Sequence, residues 1–284
     1  MLKSTFSRMF GLDTPFEAAS TVLFGAPYDS TTSFRPGARF GPAAMRSESF
    51  GLETYSPYCD RDIADCAIQD AGDLELCFGA PEGMLADIET QTASILDAGK
   101  RPVMLGGEHL VTLGAVRAAA KRYEGLHVLH FDAHADLRGD YLGARLSHAT
   151  VMRRCAELLG DGRVFQFGIR SGERAEFEWA RAHTHMTRFT LDGLSEAVTR
   201  IGTAPVYLTI DLDVLDPSAF PGTGTPEAGG VSFMQLLEAL NTLIKCRIVA
   251  CDLVELAPVY DPGGVSTATA CKVLRELLLG LEGA

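Results

Sequence analysis

The sequence predicts an α/β fold built on a parallel β-sheet that helices cover on both faces. Short apolar runs alternate along the chain with longer segments of helical pattern, and this alternation is typical of right-handed βαβ crossovers. The runs are almost continuously hydrophobic, as strands buried on both faces are. The sequence has no repeat, low-complexity tract or Pro/Gly/Ser-rich linker, so a single domain over residues 1–284 is expected.

Seven strands are predicted from the apolar runs: TVLFGAP (21–27), DCAIQDAG (65–72), RPVMLGG (101–107), LHVLHFDAH (126–134), RVFQFGIR (163–170), PVYLTIDLD (205–213) and RIVACDLVEL (247–256). Helices are predicted between and after them, near 83–99, 109–123, 148–160, 172–183, 191–201, 231–245 and 264–282. Gly99 is expected to end the first of these helices as its C′ residue. Because ligands bind beyond the carboxyl ends of parallel strands, polar residues directly after a strand are the candidate site residues.

The charge of the chain limits its partners. The 284 residues carry a formal net charge of −12, with a pI of about 5.0. This balance repels phosphate backbones and anionic lipid, which argues against nucleic-acid or membrane partners and favours cationic substrates. No run approaches about 18 apolar residues and no signal-peptide core is recognisable, so a cytoplasmic location is expected. The seven cysteines form no CxxC pair and are predicted to be buried free thiols.

Two clusters of acidic residues and histidine follow predicted strands directly. Asp132, His134 and Asp136 lie in FDAHAD, and Asp211 and Asp213 end the run PVYLTIDLD. In extended backbone, a spacing of two residues puts side chains on one face. A single DxD is most often a turn or a cap, whereas DxHxD is more specific.

The segment GGEH, residues 106–109, ends a third predicted strand. Its glycines permit a sharp turn, after which His109 is expected to open a helix. Alone, this segment is most often only a turn. Three such clusters, each after its own strand, instead indicate one common site at the carboxyl edge of the sheet.

This site would bring four carboxylates and two imidazoles together. Four ionised carboxylates in one place raise one another's pKa values, and two divalent cations would cancel that repulsion. Six ligands cannot saturate two metals unless some carboxylates bridge, in a site whose metals lie about 3.5–4 Å apart. The oxygen-rich set, with one nitrogen per metal and no thiolate, favours Mn²⁺ over a structural zinc.

Two further residues stand near this edge. His148 follows a glycine-containing loop, with Ser147 as its expected N-cap, and either carries protons or is an ordinary helix-start residue. Glu255 ends the last strand and is either a counter-charge for a cationic substrate or a helix cap. The other histidines are predicted to be core residues or a solvated helix end: His127 and His130 in the core, His183 and His185 at the helix end.

Taken in order, these motifs resemble the ureohydrolases, the family of arginase, agmatinase, guanidinobutyrase and formiminoglutamase. GGEH, FDAHADLR, SHAT, IDLDVLDPSAFPGTGTPEAGG and VELAPVYDPGGVSTATA follow the family's order over about residues 106–270, and GAPYDSTTSFRPGARFGPAAMR extends the match to about residue 24. The resemblance implies a three-layer α/β/α sandwich with a central, mainly parallel sheet of eight strands. It also implies two Mn²⁺ per subunit and homo-oligomers, usually trimers or hexamers.

The resemblance further implies roles for the site residues. Asp136 would orient the nucleophile and take its proton, Glu255 would pair with a guanidinium group, and His148 would carry a proton to the leaving amine. The metal ligands would be His109 and Asp136 on one metal, His134 and Asp213 on the other, and Asp132 and Asp211 as bridges.

Within this family, agmatine is the expected substrate, hydrolysed to putrescine and urea in polyamine biosynthesis. Ser171 stands where arginases carry an aspartate that helps to bind the α-amino group, which weighs against arginine. Asp140 is a candidate partner for the distal ammonium of agmatine. Arg138 or Arg145 would instead suit the carboxylate of guanidinobutyrate, so guanidinobutyrase stays open, as do other ureohydrolases such as arginase and formiminoglutamase.

Two interpretations from other classes remain. A dinuclear metallophosphatase also uses Asp/His clusters, but the asparagine and extra histidine ligands common in that class are not recognisable here. A metal-free regulatory pseudoenzyme is disfavoured because competent side chains occupy every expected ligand position.

Overall fold

The computed structural model describes residues 8–77 and 79–283, and within them the strands are β1 (Thr21–Ala26), β2 (Tyr55–Ser56), β3 (Arg61–Asp62), β4 (Ile68–Asp73), β5 (Arg101–Gly106), β6 (His127–Phe131), β7 (Val164–Ile169), β8 (His185–Arg188), β9 (Pro205–Asp211) and β10 (Arg247–Val254). Eight of them form one sheet in the order β4-β1-β5-β10-β9-β6-β7-β8. Every neighbouring pair in that sheet is parallel, whereas β2 and β3 form a small antiparallel pair.

Helices cover both faces of the sheet and make three layers. In chain order they are α1 (Gly41–Ser49), α2 (Pro81–Asp97), α3 (Val111–Arg122), α4 (Val151–Leu159), α5 (Arg174–His183), α6 (Leu194–Ile201), α7 (Phe233–Leu243) and α8 (Val265–Glu282). Buried residues of α2, α3, α4 and α5 share one core, and those of α1, α6, α7 and α8 share the other. The expected α/β/α sandwich with an eight-stranded parallel sheet is confirmed.

Strand residues alternate between these two cores. In β5, Val103 and Leu105 face the core of α1, α6, α7 and α8, while Met104 faces the other core. All three are almost fully buried. A strand between two apolar layers must be hydrophobic on both faces, which explains the continuous runs in the sequence. Truncating such a residue, as in Leu105→Ala, costs about 2–5 kcal/mol of stability.

All seven strands predicted from apolar runs are present, but β2, β3, β8 and α1 were not predicted. The edge strand β8 reads HMTR and is only partly buried, so it has no apolar run. His185 opens this strand, so its assignment to a helix end was wrong, whereas His183 does end α5. The short α1 was also not predicted, because its nine residues form only a weak apolar stripe.

Local signals at two helix ends were correct. Gly99 has φ +73° and lies two residues beyond the end of α2, as a C′ glycine does. The Ser147 side chain accepts a hydrogen bond from the N–H of Ala149 in the turn that precedes α4. All seven cysteines are free, but Cys59 and Cys77 are exposed, so the prediction of buried thiols was wrong for these two.

Four adjacent strands, β5, β10, β9 and β6, form the middle of the sheet. Their carboxyl ends therefore meet, and the segments that follow them are neighbours in space. Within residues 8–77 and 79–283, no helix is both long enough and apolar enough to span a membrane. The single domain over 1–284 stays a prediction, because residues 1–7, 78 and 284 lie outside the described part of the chain.

Candidate metal centre and active site

The turn after β5 places His109 at the centre of the sheet edge. Gly107 makes this turn possible, because a Cβ there would lie 1.8 Å from the carbonyl oxygen of Tyr28. The N–H of Gly107 donates to the carbonyl of Ala26, which ties the turn to β1. His109 itself is buried, two residues before α3 begins.

The DxHxD cluster converges, but not through an extended strand. The strand β6 ends at Phe131, and the following residues have irregular backbone. Asp136 has φ +53°, a left-handed conformation that few residues other than glycine adopt. The one-face argument from a spacing of two was therefore wrong in its geometry, although Asp132, His134 and Asp136 do meet.

The DxD cluster after β9 also departs from an extended strand. The strand ends at Asp211, and a 3₁₀ turn follows over Leu212–Val214. Oδ1 of Asp211 accepts a hydrogen bond from the N–H of Asp213 at 2.9 Å, so the first carboxylate caps the turn that presents the second. Asp213 in turn accepts from the N–H of Ala133 at 3.0 Å, which joins the two clusters.

Six predicted ligands come together in two overlapping groups. Nδ1 of His109 lies 3.0 Å from Asp132, 3.2 Å from Asp136 and 3.4 Å from Asp211. Nδ1 of His134 lies 2.9 Å from Asp213 and 3.5 Å from the other oxygen of Asp132. The carboxylate of Asp132 therefore stands between the two imidazoles.

The protonation of these groups is strongly perturbed. Burial acts to lower the pKa of His109, but three neighbouring carboxylates outweigh it and raise that pKa well above its usual range. Burial and the charges of Asp213 and Asp132 raise the pKa of Asp211 well above its usual range. Burial, with the charge of Asp132, raises the pKa of Asp136 to about 7. These raised pKa values mean that the cluster binds protons to offset its negative charge when no other cation is present.

The donor set fits a pair of metal ions. Nδ1 of His109 and Oδ2 of Asp213 are buried and, within the described chain, have no hydrogen-bond partner. Side-chain atoms that could coordinate a metal lie close together in two places. One group surrounds His109 and the other surrounds His134, and Asp132 belongs to both groups. The two clusters indicate a binuclear metal site, as predicted from the sequence.

His130 adds a contact to this site that the sequence did not reveal. Its Nε2 lies 2.7 Å from Oδ2 of Asp132, and its Nδ1 lies 3.1 Å from the side-chain nitrogen of Gln166. Because the Gln166 amide donates to Nδ1, Nε2 carries the proton and donates to Asp132. His130 is a fully buried core residue, as predicted, and it also orients a carboxylate of the metal site.

A cleft of about 360 Å³ opens above the metal cluster. Glu255 lines it, and its Oε1 accepts from the N–H of His109 at 2.7 Å. Burial and the neighbouring Glu108 raise the pKa of Glu255 well above its usual range. Glu255 has φ +66°, an unusual conformation that turns the chain at the end of β10.

His148 lines the same cleft and is tied to the N-terminal part of the sheet edge. Its N–H donates to Oγ1 of Thr31 at 3.1 Å, and the Thr31 hydroxyl donates to Glu108. Its Nε2 lies 3.4 Å from Oγ of Ser33, which also lines the cleft. Burial lowers the pKa of His148 to about 4, so its imidazole is neutral at pH 7.

The predicted substrate-tail residues divide into two groups. Arg138 and Ser171 line the cleft, whereas Asp140 and Arg145 lie outside that lining. Oδ1 of Asp140 accepts from the N–H of Gly143 at 3.3 Å, so this carboxylate closes its own turn. Asp140 is therefore poorly placed for the ammonium role predicted from the sequence.

Both arginines are already paired with carboxylates. Arg138 lies 3.1 Å from Glu173 and 3.5 Å from Glu176, and Arg145 lies 3.3 Å from Glu157. Glu173, which is exposed, and Glu176, which is buried, also line the cleft, so its lining beside Arg138 has two carboxylates for one guanidinium. Glu173 was not predicted as a site residue, although it lies two residues after Ser171 in GIRSGER.

Comparison with known proteins decides the family. The model of the Arginase family matches residues 19–280. The agmatinase of Bacillus subtilis (strain 168) is 49% identical over 269 residues, which are 93% of each chain. The chain belongs to the arginase family. The enzyme class predicted from the sequence, an agmatinase-type ureohydrolase acting on amidine bonds, is confirmed.

Solved structures of the arginase family share the whole architecture. The agmatine ureohydrolase of Thermoplasma volcanium is 32% identical, with a TM-score of 0.88 over 98% of this chain and 96% of its own. An arginase from Medicago truncatula is 29% identical, with a TM-score of 0.79 over 92% of this chain and 86% of its own. The eight-stranded sheet and its helical layers are thus those of the family.

Proposed function

We propose that this chain hydrolyses agmatine to putrescine and urea, a step of polyamine biosynthesis. The observation that carries the proposal is the charge of the cleft. Glu255 lines the cleft beside the metal cluster, and Glu173 and Glu176 line it beside a single arginine, Arg138. Agmatine is cationic at both ends and matches carboxylates at both ends of the cleft.

We infer that two Mn²⁺ ions occupy the metal site. His109 and Asp136 would hold one, and His134 and Asp213 the other, with Asp132 and Asp211 shared. In support, the two oxygens of Asp132 face different imidazoles. Oxygen donors with one imidazole per ion and no thiolate suit Mn²⁺. When bound, such ions supply the Lewis acidity that makes water a nucleophile at neutral pH.

Glu255 is the proposed partner of the guanidinium group. One of its oxygens is held by the N–H of His109, and the other accepts from the substrate. A planar cation beside this buried carboxylate offsets the burial that raises its pKa, so substrate binding restores its charge. Asp136, whose carboxylate lies 3.2 Å from Nδ1 of His109, would orient the attacking water and accept its proton.

His148 is the proposed proton carrier to the leaving group. Attack of water on the guanidinium carbon forms a C–O bond and releases a proton, and cleavage of the C–N bond requires a proton on the amine nitrogen. Asp136 would accept the first proton, and the neutral imidazole of His148 in the cleft can carry it on to the amine nitrogen. The hydrogen bonds from His148 to Thr31 and Ser33 hold it at the cleft wall.

Glu173, rather than Asp140, is the proposed partner of the distal ammonium. Its side chain is 62% exposed and lines the cleft. Arg138 is outnumbered by two carboxylates, Glu173 and Glu176, so this part of the cleft favours an ammonium over the carboxylate of guanidinobutyrate. This pairing disfavours guanidinobutyrase, and Ser171 offers no carboxylate for the α-amino group of arginine.

A substrate panel tests the function. The Mn²⁺-loaded protein is incubated with agmatine, arginine, 4-guanidinobutyrate and formiminoglutamate, and release of urea or formamide is measured. We expect urea mainly from agmatine. Preference for another guanidino compound would reject agmatine but keep the hydrolase. Hydrolysis of aryl phosphates alone would support a metallophosphatase, and no metal binding at all would support a pseudoenzyme.

Assembly and location stay predictions. The family resemblance predicts a homo-oligomer, a trimer or a hexamer, which light scattering of the purified chain would test. The free cysteines agree with the predicted cytoplasmic location, because reducing compartments keep thiols unpaired.

A further inference from the structure

Asp252 is a buried carboxylate for which the proposed reaction has no use. It lies on β10, three residues before Glu255, and its side chain is fully buried. An ionised carboxylate in such a place is costly unless hydrogen bonds satisfy it. The hydrogen-bond partners of Asp252 therefore indicate which side chains this carboxylate holds in place.

Three hydroxyl groups point at this carboxylate. Tyr207 donates to Oδ2 at 2.5 Å, and Thr112 donates to the same oxygen at 2.9 Å. Thr209 donates to Oδ1 at 2.6 Å. Tyr207 and Thr209 are two residues apart on β9 and so share a face, while Thr112 lies in the first turn of α3. Both carboxylate oxygens are thus satisfied by buried donors.

The third of these hydroxyls connects Asp252 to the metal site. Oγ1 of Thr209 lies 3.0 Å from Nε2 of His109. A threonine hydroxyl has one proton, and Thr209 gives it to Asp252, so towards His109 the oxygen can only accept. Nε2 of His109 must therefore carry a proton, which leaves the lone pair of the neutral ring on Nδ1. Nδ1 is the atom that faces Asp132, Asp136 and Asp211.

We propose that Asp252 acts through Thr209 as a positioning residue for the metal held by His109. The chain from carboxylate to hydroxyl to imidazole fixes the tautomer that offers Nδ1 to the metal and holds the plane of the ring. Partners of this kind behind a ligand histidine typically change metal affinity by about 10–100-fold. The proposal rests on the binuclear site of the proposed function, but not on the identity of the substrate.

Matched variants of Thr209 test this chain. Thr209→Val keeps the shape of the side chain and removes the hydroxyl, whereas Thr209→Ser keeps the hydroxyl. Each metal-free protein is titrated with Mn²⁺ by calorimetry, and bound metal is counted after dialysis. We expect Thr209→Val to lower the affinity for one of the two metals by about 10–100-fold. We expect Thr209→Ser to bind both metals within a few-fold of the wild type.

Tyr207→Phe is the control, because it removes a donor to Asp252 without breaking the link to His109. It should bind both metals as the wild type does, with the visible spectrum of bound Co²⁺ unchanged. Thr209→Val should change that spectrum. Wild-type affinity in Thr209→Val, or equal losses in Thr209→Val and Tyr207→Phe, would overturn the proposal. Because every readout is metal binding, failure of the agmatine assay leaves this test intact.

A measurement on the wild type covers the case in which Thr209→Val does not fold. Protein labelled with ¹⁵N-histidine is loaded with diamagnetic Zn²⁺, and the ring signals of His109 are identified with a His109→Asn variant. We expect the ring proton on Nε2. A proton on Nδ1 would overturn the proposal.

Discussion

Nδ1 of His134 lies 2.9 Å from Oδ2 of Asp213, and that oxygen has no hydrogen-bond partner within the described chain. The other oxygen of Asp213 is held by the N–H of Ala133, so the carboxylate cannot rotate freely. A fixed, unpaired oxygen beside an imidazole is the arrangement of two ligands that share one ion. Asp213 and His134 therefore belong to one of the two groups of side chains that could hold a metal.

Asp213→Asn should remove one metal and leave the other. We expect the bound Mn²⁺, counted by atomic absorption after dialysis, to fall from about two to about one per chain, because the amide supplies no charge for the second ion. Activity should fall by about 10²-fold or more, since the water nucleophile needs both Lewis acids. The exposed Asp192 provides the control, and Asp192→Asn should keep both metals. Two bound metals in Asp213→Asn would contradict this assignment.

His148→Asn should lower kcat without loss of metal. A positioned proton carrier typically contributes about 10²–10⁴-fold, and the asparagine cannot move a proton. The ring nitrogens of His148 face Ser33 and Ser147, and its backbone N–H donates to Thr31, so none of these hydrogen bonds involves a predicted metal ligand. Steady-state kinetics and metal counts are compared with those of a remote control, His183→Asn. An unchanged kcat would rule out the proton-carrying role.

The candidate ligands that the fold brings together could be predicted from the sequence but the residues behind them could not, and the reason is physical. Asp132, Asp211 and His109 follow apolar strands directly, so the rule for parallel sheets finds them. Asp252 interrupts the apolar run of β10, and Thr209 looks like an ordinary strand residue. Their role depends on which residues of β9, β10 and α3 face each other across the sheet, and no local spacing records that register.

The backbone of the site was less predictable than its composition. A spacing of two correctly grouped Asp132, His134 and Asp136, but they meet through a left-handed turn at Asp136. Glu173 was missed because it follows a loop rather than a strand. Its place in the cleft depends on how the turn before α5 packs beside Arg138.

Glu173→Gln and Asp140→Asn separate two explanations of agmatine binding. If Glu173 meets the distal ammonium, Glu173→Gln should raise KM for agmatine about two- to fivefold, as expected for an exposed ion pair worth up to about 1 kcal/mol. The value of kcat should change little. Asp140→Asn should leave both constants unchanged, because its carboxylate is engaged by Gly143. The opposite result, a higher KM only in Asp140→Asn, would restore the prediction made from the sequence.

The carboxylate of Asp216 should stabilise the loop that follows β9 in a pH-dependent way. Its carboxylate accepts from Ser218 and from the N–H groups of Gly229 and Gly230. These hydrogen bonds, those from Ser218 first, lower the pKa of Asp216 to about 2. A carboxyl whose pKa is lower in the folded chain adds stability above its unfolded pKa of about 3.9 and loses it as the pH falls through about 2.

Asp216→Asn should therefore lower Tm at pH 7 and reduce the free energy of unfolding by about 1–2 kcal/mol. The difference from the wild type should shrink as the pH falls from about 4 towards 2. Urea unfolding at pH 7 and at pH 3 measures the change. Ser218→Ala, which removes only one donor side chain, should show a smaller loss. A difference that stays constant between the two pH values would show that the charge of Asp216 plays no part.

Gly107→Ala should disrupt the metal site through the backbone rather than through a ligand. The added Cβ would lie 1.8 Å from the carbonyl oxygen of Tyr28, and backbone cannot yield as a flexible side chain does. Either the turn or the loop at Tyr28 must move, at a cost of about 1–3 kcal/mol or more. Because the next residues are Glu108 and His109, that movement should carry the imidazole away from Asp132.

We therefore expect Gly107→Ala to lower both Tm and the affinity for metal, measured by calorimetry on the same preparation. Gly139→Ala is the matched control, because a Cβ at Gly139 has no neighbour within 4 Å. It should leave both quantities near those of the wild type. If Gly107→Ala lowered Tm but bound both metals normally, the turn would be needed for folding alone and would not set the position of His109.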